Sequence, residues 1–196
     1  MPNTVSVGAL SPSPPLIQPQ RRVKGAALLA LIGTAVVMVA PHTTGFEGTK
    51  NKPYLDPVGI RTVCNGETEN VEDRIYSNSE CATMLRKRMA QDYAPKIIAC
   101  VPDFADPARL SAFSWSIDAA YNTGPRAFCK SPMAAKFNHG DWSGGCKAFK
   151  GWYVTGTAKQ PVKGAVSCTR SFDGKYHCVL PGLVARRDAE AKGCAG

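Results

Sequence analysis

Apolar residues recur with a helical period over much of the second half of this chain. A Ser77-Asn78-Ser79-Glu80 sequence has the spacing of a helix-capping box, and Asp106-Pro107 is typical of a second helix start. The apolar positions behind these two signals are Met84, Leu85, Met89 and Tyr93, and Leu110, Phe113, Ile117 and Tyr121. Three shorter helices are predicted over residues 132–138, 142–152 and 183–192.

Two other stretches favour β-hairpins. Residues 51–65 carry β-branched and aromatic side chains on both sides of an Asp56-Pro57-Val58-Gly59 turn. Residues 155–179 are predicted to be loop and hairpin, with an Asp173-Gly174 turn signal. A small β element followed by several helices indicates an α+β fold.

The N-terminal part has a different pattern. Residues 1–24 are rich in proline and uncharged until Arg21, Arg22 and Lys24, so we predict a disordered tail with a basic end. Residues 25–40 contain no charge at all. A basic flank before an apolar run is typical of a membrane-targeting segment whose N-terminus stays in the cytoplasm.

This apolar segment is predicted to insert into a membrane only marginally. It has sixteen residues, many of them Gly or Ala, whereas a spanning helix needs about 20 apolar residues. Three interpretations follow: a retained signal anchor, a cleaved signal peptide, or a helix buried in the protein core. Either of the first two exports everything after Pro41.

Composition narrows the classes of protein and partner. A chain of 196 residues with 44% apolar residues is neither wholly disordered nor a multi-span membrane protein. Its formal net charge of +9 points to an anionic partner, such as nucleic acid, anionic lipid or the bacterial cell wall. Export would remove the chain from nucleic acid, so we expect no nucleic-acid partner.

The cysteines agree with export. All eight follow the apolar segment, and none has the spacing of a zinc site. We therefore predict disulfides formed in an oxidising compartment. One local pairing, Cys168 with Cys178, is indicated by the turn signal between them.

Three polar residues are candidates for glycoside hydrolysis, which requires a carboxylic acid to protonate the leaving oxygen and a second polar group to hold water. Glu47 lies among small and apolar neighbours, where we expect a poorly solvated, protonated carboxyl. Asp56 falls at the hairpin turn and Thr62 on the returning strand. The hairpin can place both opposite Glu47.

The surrounding sequence strengthens this hypothesis. GFEGTKNKPYLDPVGIRTVCNG resembles the active-site segment of phage-type lysozymes, glycoside hydrolase family 24. SWSIDAAYNTGPRAFCKSPMAAKFNHGDWSGGC and LPGLVARRDAEAKGC are similar to later helices of that family, in the same order. The resemblance implies a lysozyme-like α+β domain over residues 41–196, with a small N-terminal β-hairpin lobe and a larger, mostly helical lobe.

The same resemblance implies an activity and its residues. The chain would be a muramidase that cuts the β-1,4 bond between N-acetylmuramic acid and N-acetylglucosamine and lyses the host cell. Glu47 would be the general acid, and Asp56 and Thr62 would position water or stabilise developing positive charge. The partner would be a peptidoglycan glycan strand, and no cofactor or metal is implied.

One branch of the family resembles the N-terminal segment as well. Residues 25–40 are similar to the Gly- and Ala-rich anchor of signal-anchor-release endolysins. This implies an inactive form tethered to the host inner membrane with a cytoplasmic N-terminus, then an active periplasmic form after release. We expect a monomer.

Rival functions remain at this point. A catalytically inactive, membrane-tethered peptidoglycan-binding protein on a lysozyme scaffold would share these features, and so would a peptidoglycan amidase or peptidase. Arg186 or Arg187 is a candidate neighbour of Glu47. The tryptophans Trp115, Trp142 and Trp152 are candidates for a sugar cleft or for core packing.

Overall fold

The computed structural model describes residues 21–56, 59–152 and 159–196. In these ranges the chain forms eight α-helices and two two-stranded antiparallel sheets. The helices are α1 (Gly25–Glu47), α2 (Asn78–Arg88), α3 (Ala94–Cys100), α4 (Leu110–Thr123), α5 (Pro125–Cys129), α6 (Pro132–Asn138), α7 (Trp142–Ala148) and α8 (Pro181–Cys194). The strands are β1 (Lys50–Leu55), β2 (Arg61–Cys64), β3 (Ser167–Arg170) and β4 (Tyr176–Val179). The predicted α+β class is confirmed.

Helix α1 is part of the core of the helical lobe. It packs against α4 and α2, and its buried side chains are Leu31, Ile32, Ala35, Val36, Val39, Ala40 and Thr43. In this conformation residues 25–40 therefore belong to a core helix. Their use as a membrane anchor stays a prediction.

The helix also extends beyond the predicted apolar segment. It passes through Pro41 and ends at Glu47. Proline cannot donate to the carbonyl four residues earlier, but that carbonyl belongs to Val37, a residue that is 63% exposed, so water can satisfy it. Gly48 ends the helix at φ +69°, a conformation that favours glycine, and its N–H donates to the carbonyl of Thr44.

The predicted first hairpin is present. β1 and β2 pair antiparallel, with Tyr54 opposite Thr62 and an irregularity nearer the start of β1. The tight end of the hairpin, where β1 turns into β2, is closed by Asp56, whose backbone N–H donates to the carbonyl of Ile60 at 2.9 Å. The second and third residues of the predicted turn, Pro57 and Val58, lie outside the described residues.

The helical lobe follows the sequence prediction with shifts at helix ends. Ser77 and Glu80 form the predicted capping box at α2. Asp106, however, caps a 3-10 turn over Pro107–Arg109, and α4 begins only at Leu110. A 3-10 turn of this kind is common at the start of an α-helix.

Two later boundaries also differ. The helix predicted over residues 142–152 is α7, followed by a 3-10 turn. The helix predicted over residues 183–192 is longer at both ends, since Pro181 is favourable at the first helical position.

Disulfides and a short anchored segment tie the elements together. Four pairs are present: Cys64 with Cys81, Cys100 with Cys129, Cys146 with Cys194, and Cys168 with Cys178. The predicted Cys168–Cys178 pair, which joins β3 to β4, is thus confirmed. Residues 1–20 of the predicted tail lie outside the described residues, but Arg22 donates to Asp103 at 2.9 Å and Val23 to the carbonyl of Ala105 at 2.8 Å.

Candidate active site

Glu47, the last residue of α1, meets an arginine from α8. Nη1 of Arg186 donates to Oε1 of Glu47 at 2.6 Å. The arginine side chain is 3% exposed and the glutamate side chain 29%. In the described ranges Oε2 of Glu47 has no hydrogen bond, so this oxygen remains available at a partly exposed surface. Of the two arginines considered from sequence, Arg186 is the one that contacts Glu47.

The dry apolar pocket expected around Glu47 is not what surrounds it. Its neighbour Phe46 is itself 41% exposed and lies with its ring centroid 5.5 Å from the Arg186 guanidinium. Gly45 and Gly48 contribute no side chain to cover the helix end. The carboxyl group is therefore positioned by a cation at the edge of solvent rather than enclosed by hydrocarbon.

The arginine is held in turn by Asp118 of α4, a side chain with no exposure. Asp118 accepts from Nε and Nη2 of Arg186 at 3.1 and 2.9 Å, and from the Thr43 hydroxyl at 2.6 Å. Nδ1 of His42 lies 3.2 Å from its second oxygen. Burial alone would raise the pKa of this carboxyl, but His42, Glu190 and the Arg186 guanidinium beside it hold the pKa well below its usual range.

A second buried pair completes this polar cluster. Arg187 donates to Glu190 and to the side-chain oxygen of Asn122. The side chains of Arg187 and Glu190 are both buried. Burial, and next the neighbouring Asp118 carboxyl group, raises the pKa of Glu190 to about 9. Arg186, Arg187, Asp118 and Glu190 thus lie together in one buried cluster, in which each arginine contacts a carboxyl group.

Asp56 and Thr62 lie together on the first hairpin. One carboxylate oxygen of Asp56 accepts from the backbone N–H of Ile60 at 2.8 Å, which fixes the carboxylate at the tight end. Thr62 is 3% exposed, and its hydroxyl donates to the carbonyl of Ile60 at 2.9 Å. The described hydrogen bonds thus join Asp56 and Thr62 to each other through Ile60, and join Glu47 to α8.

The hairpin is fixed relative to Glu47 by the residues after β2. The side-chain amide of Asn65 donates to the carbonyl of Gly48 and to Thr49 Oγ1. The hydroxyl of Tyr121 in α4 donates to the carbonyl of Asn65 at 2.7 Å. Burial raises the pKa of this tyrosine above its ordinary value, so it stays a donor. The end of α1, the hairpin and α4 are therefore joined directly beside Glu47.

The tryptophans belong to the core. Trp115, Trp142 and Trp152 are all partly buried and pack against the main hydrophobic cluster. Trp115 also meets His42 edge to face, with ring centroids 4.6 Å apart. Core packing is confirmed as the role that the structure gives to these rings.

The sequence analysis missed Asp118, His42 and Thr43. Asp118 lies within an apolar helical run, SWSIDAAY, in a part of α4 where every residue from Ser116 to Ala120 is buried. A single acidic residue on a buried helical face is a signal that could have found it, because a buried carboxylate needs a partner.

The architecture described above, a small hairpin beside a helical lobe with a carboxylate at the end of the first helix, is that of the lysozyme-like class. Solved structures with the same fold include the muramidase domain of SpmX from Asticaccaulis excentricus, with a TM-score of 0.62, 19% identity, and coverage of 90% of this chain and 99% of that one. A P22 lysozyme mutant has a TM-score of 0.56 and 16% identity, covering 80% of this chain and 94% of that one.

Sequence comparison gives the family. The phage lysozyme family model matches residues 44–190. The SAR-endolysin of Enterobacteria phage P21 is 30% identical over 142 residues, covering 66% of this chain and 82% of the relative. The SAR-endolysin of Bacteriophage PS119 is 29% identical over 145 residues, covering 68% and 83%. The chain belongs to the phage lysozyme family, in its SAR-endolysin branch, and is thus a glycoside hydrolase of the lysozyme type.

Proposed function

We propose that this endolysin hydrolyses the β-1,4 bond between N-acetylmuramic acid and N-acetylglucosamine in peptidoglycan. Glu47 gives its proton to the glycosidic oxygen as the bond to the anomeric carbon breaks. Water adds to that carbon, and Asp56 accepts the proton that the water loses, while Thr62 helps to fix Asp56 and the water. This proposal carries over to this chain the muramidase activity that the family relationship suggests.

The observation that supports these roles best is the state of the Glu47 carboxyl group. Arg186 fixes one of its oxygens at 2.6 Å, and the other is available at a surface that is neither buried nor fully open. A general acid needs a fixed direction and a reachable oxygen. A bound glycan strand would cover this edge and exclude water, supplying the enclosure that the free protein lacks.

Product analysis tests the bond that is cut. Purified peptidoglycan digested with the full chain is reduced with borohydride, and the new reducing ends are identified. Reduced N-acetylmuramic acid is the expected product. Reduced N-acetylglucosamine would move the cut to the other glycosidic bond, and new amino groups without reducing ends would indicate an amidase or peptidase.

We also propose that the protein is exported in a membrane-tethered form and becomes active after release. Helix α1 is long and apolar enough to cross a membrane. Its exposed side in the folded protein still carries Leu29, Val37 and Met38, which are 71%, 63% and 47% exposed. A surface helix ordinarily presents charged residues there. The apolar outer side therefore supports the proposal that this helix lies in the membrane before release and in the protein core afterwards.

The tethered form would be inactive for a geometrical reason. While residues 25–40 lie in lipid, α1 cannot occupy its place against α4 and α2. Glu47 is the last residue of this helix, so it would then lack the contact with Arg186. In lipid this segment, rich in small residues, gains little free energy, and return to the core is therefore feasible.

A substitution at Gly33 separates membrane anchoring from the folded enzyme. A Cβ atom at Gly33 would meet nothing within 4 Å, so Gly33→Leu fits the folded state while making the anchor more apolar. We expect the variant to stay in the membrane fraction after depolarisation, and yet to match wild type in turnover once extracted with detergent. Release equal to wild type, or a mature N-terminus within residues 25–40, would contradict the anchor model.

A further inference from the structure

Asp118 occupies the centre of the contacts that position Glu47. It is in α4, yet its two oxygens accept from Thr43 of α1 and from Arg186 of α8, and Nδ1 of His42 in α1 lies 3.2 Å from one of them. No part of its side chain is exposed. Because the carboxylate accepts through both oxygens, it has little freedom to rotate.

The arginine needs this partner to keep its direction. An arginine side chain has several rotatable bonds, and burial alone does not fix them. Nη1 of Arg186 reaches Glu47 at 2.6 Å while Nε and Nη2 face Asp118. Oε1 of Glu190 also lies 3.4 Å from Nε. Without the charge of Asp118, the guanidinium can turn toward Glu190 and away from Glu47.

Asp118 also fixes the end of α1. Thr43 precedes Glu47 by one helical turn, and side chains four residues apart lie on the same helical face. The Thr43 hydroxyl donates to Asp118 at 2.6 Å. The same carboxylate thus sets the rotation of the helix that carries Glu47 and the direction of the arginine that binds it.

We propose that Asp118 is a positioning residue for the hydrolysis, which aligns the Glu47 carboxyl group through Arg186 and Thr43 without touching substrate. The inference rests on the proposed function, since it assumes that Glu47 is the reacting group. Asp118, although buried in α4, is thereby expected to affect the rate of the chemical step. The effect on glycan binding is expected to be nil.

Asp118→Asn tests the proposal because it removes the charge and keeps the shape. With the full chain and purified peptidoglycan, we expect kcat to fall by about 10- to 100-fold, the cost of a misplaced catalytic group, while KM stays within about 2-fold. Ser116→Ala is the matched control: Ser116 is another fully buried polar residue of α4, and its substitution should leave kcat unchanged. A fall in kcat no larger than that of the control would overturn the proposal.

A double-mutant cycle distinguishes positioning from a general loss of stability. If Asp118 acts through Arg186, Asp118→Asn should lower kcat by a clearly smaller factor in an Arg186→Gln background than in wild type, and the remaining effect is the part that passes through Thr43. Effects that multiply would show that Asp118 acts independently of the arginine, and the proposal would be wrong.

Thr43→Val covers the case in which Asp118→Asn does not fold. This change removes one donor to Asp118 without altering any charge, and we expect a roughly 3- to 10-fold lower kcat with unchanged KM. Wild-type kcat in this variant would contradict the proposal. Glu47→Gln, measured in parallel, separates the two hypotheses: an active Glu47→Gln variant refutes the proposed function, whereas an inactive one beside a fully active Asp118→Asn variant refutes only the positioning role.

Discussion

Oε1 of Glu47 lies 2.6 Å from Nη1 of Arg186, although 139 residues separate the two along the chain. The first residue ends α1 and the second lies in α8, and both helices pack on α4. The candidate general acid is therefore positioned by the far end of the chain. In this structure the contact forms with the apolar N-terminal helix docked in the core.

A pair of valines tests how much this docking stabilises the enzyme. Val39 is fully buried in the core, whereas Val37 on the same helix is 63% exposed. Val39→Ala should lower the free energy of unfolding by roughly 1.5–3 kcal/mol through lost burial and a cavity, and Val37→Ala by less than about 0.5 kcal/mol. Urea unfolding of the two variants provides the comparison. Equal losses would show that α1 is not docked as described.

Much of the fold could be predicted from the sequence, because it depends on local signals. The capping box at Ser77, the hairpin around Asp56 and the pairing of Cys168 with Cys178 each involve residues close in sequence. The boundary after Ala40 illustrates the opposite case. Proline commonly ends a helix, but the core contacts of α1 and the exposed position of Val37 allow the helix to continue.

Less of the candidate site than of the fold could be predicted from the sequence. Candidate residues followed from a family resemblance, whereas the surroundings of Glu47 depend on which helix faces cross. Asp118 and Arg186 are 68 residues apart, and no spacing rule joins them. The expected dry pocket was wrong for the same reason, since local apolar neighbours do not reveal that a distant arginine fills the space.

The raised pKa of Glu190 makes stability depend on pH. Its pKa rises from 4.5 to about 9 in the folded protein, so between these values the folded state holds a proton that the unfolded state has lost. Its contribution is complete below about pH 4.5 and is lost as pH rises toward 9, by at most about 1.4 kcal/mol per pH unit.

Glu190→Gln removes this titration while keeping the shape of the side chain. We expect the free energy of unfolding of the variant, measured in urea at pH 5, 7 and 9, to decline less steeply than that of wild type. Parallel declines in the two proteins would show that Glu190 is ionised in the folded state.

Two disulfides are expected to differ in their importance for activity. Cys64–Cys81 ties β2 of the first hairpin to α2 and spans 17 residues, whereas Cys168–Cys178 spans 10 residues within the second hairpin. Replacing either pair by serine should cost about 2–4 kcal/mol of stability. Only loss of Cys64–Cys81 should also lower kcat at a temperature where both variants are folded, because it loosens the hairpin that carries Asp56 and Thr62. Similar kcat values in the two variants would argue against a fixed hairpin as a condition for turnover.

The central claim is that the carboxyl group of Glu47 donates the proton that breaks the glycan strand. The most direct measurement compares full-length wild type, Glu47→Gln and Glu72→Gln in the release of reducing ends from purified peptidoglycan. Gln at position 47 can still accept from Arg186 but cannot donate an acidic proton, so kcat should fall by about 10²- to 10⁴-fold. Glu72, whose side chain is 69% exposed on the surface, is the matched control and should retain wild-type turnover. Wild-type turnover by Glu47→Gln would contradict the account.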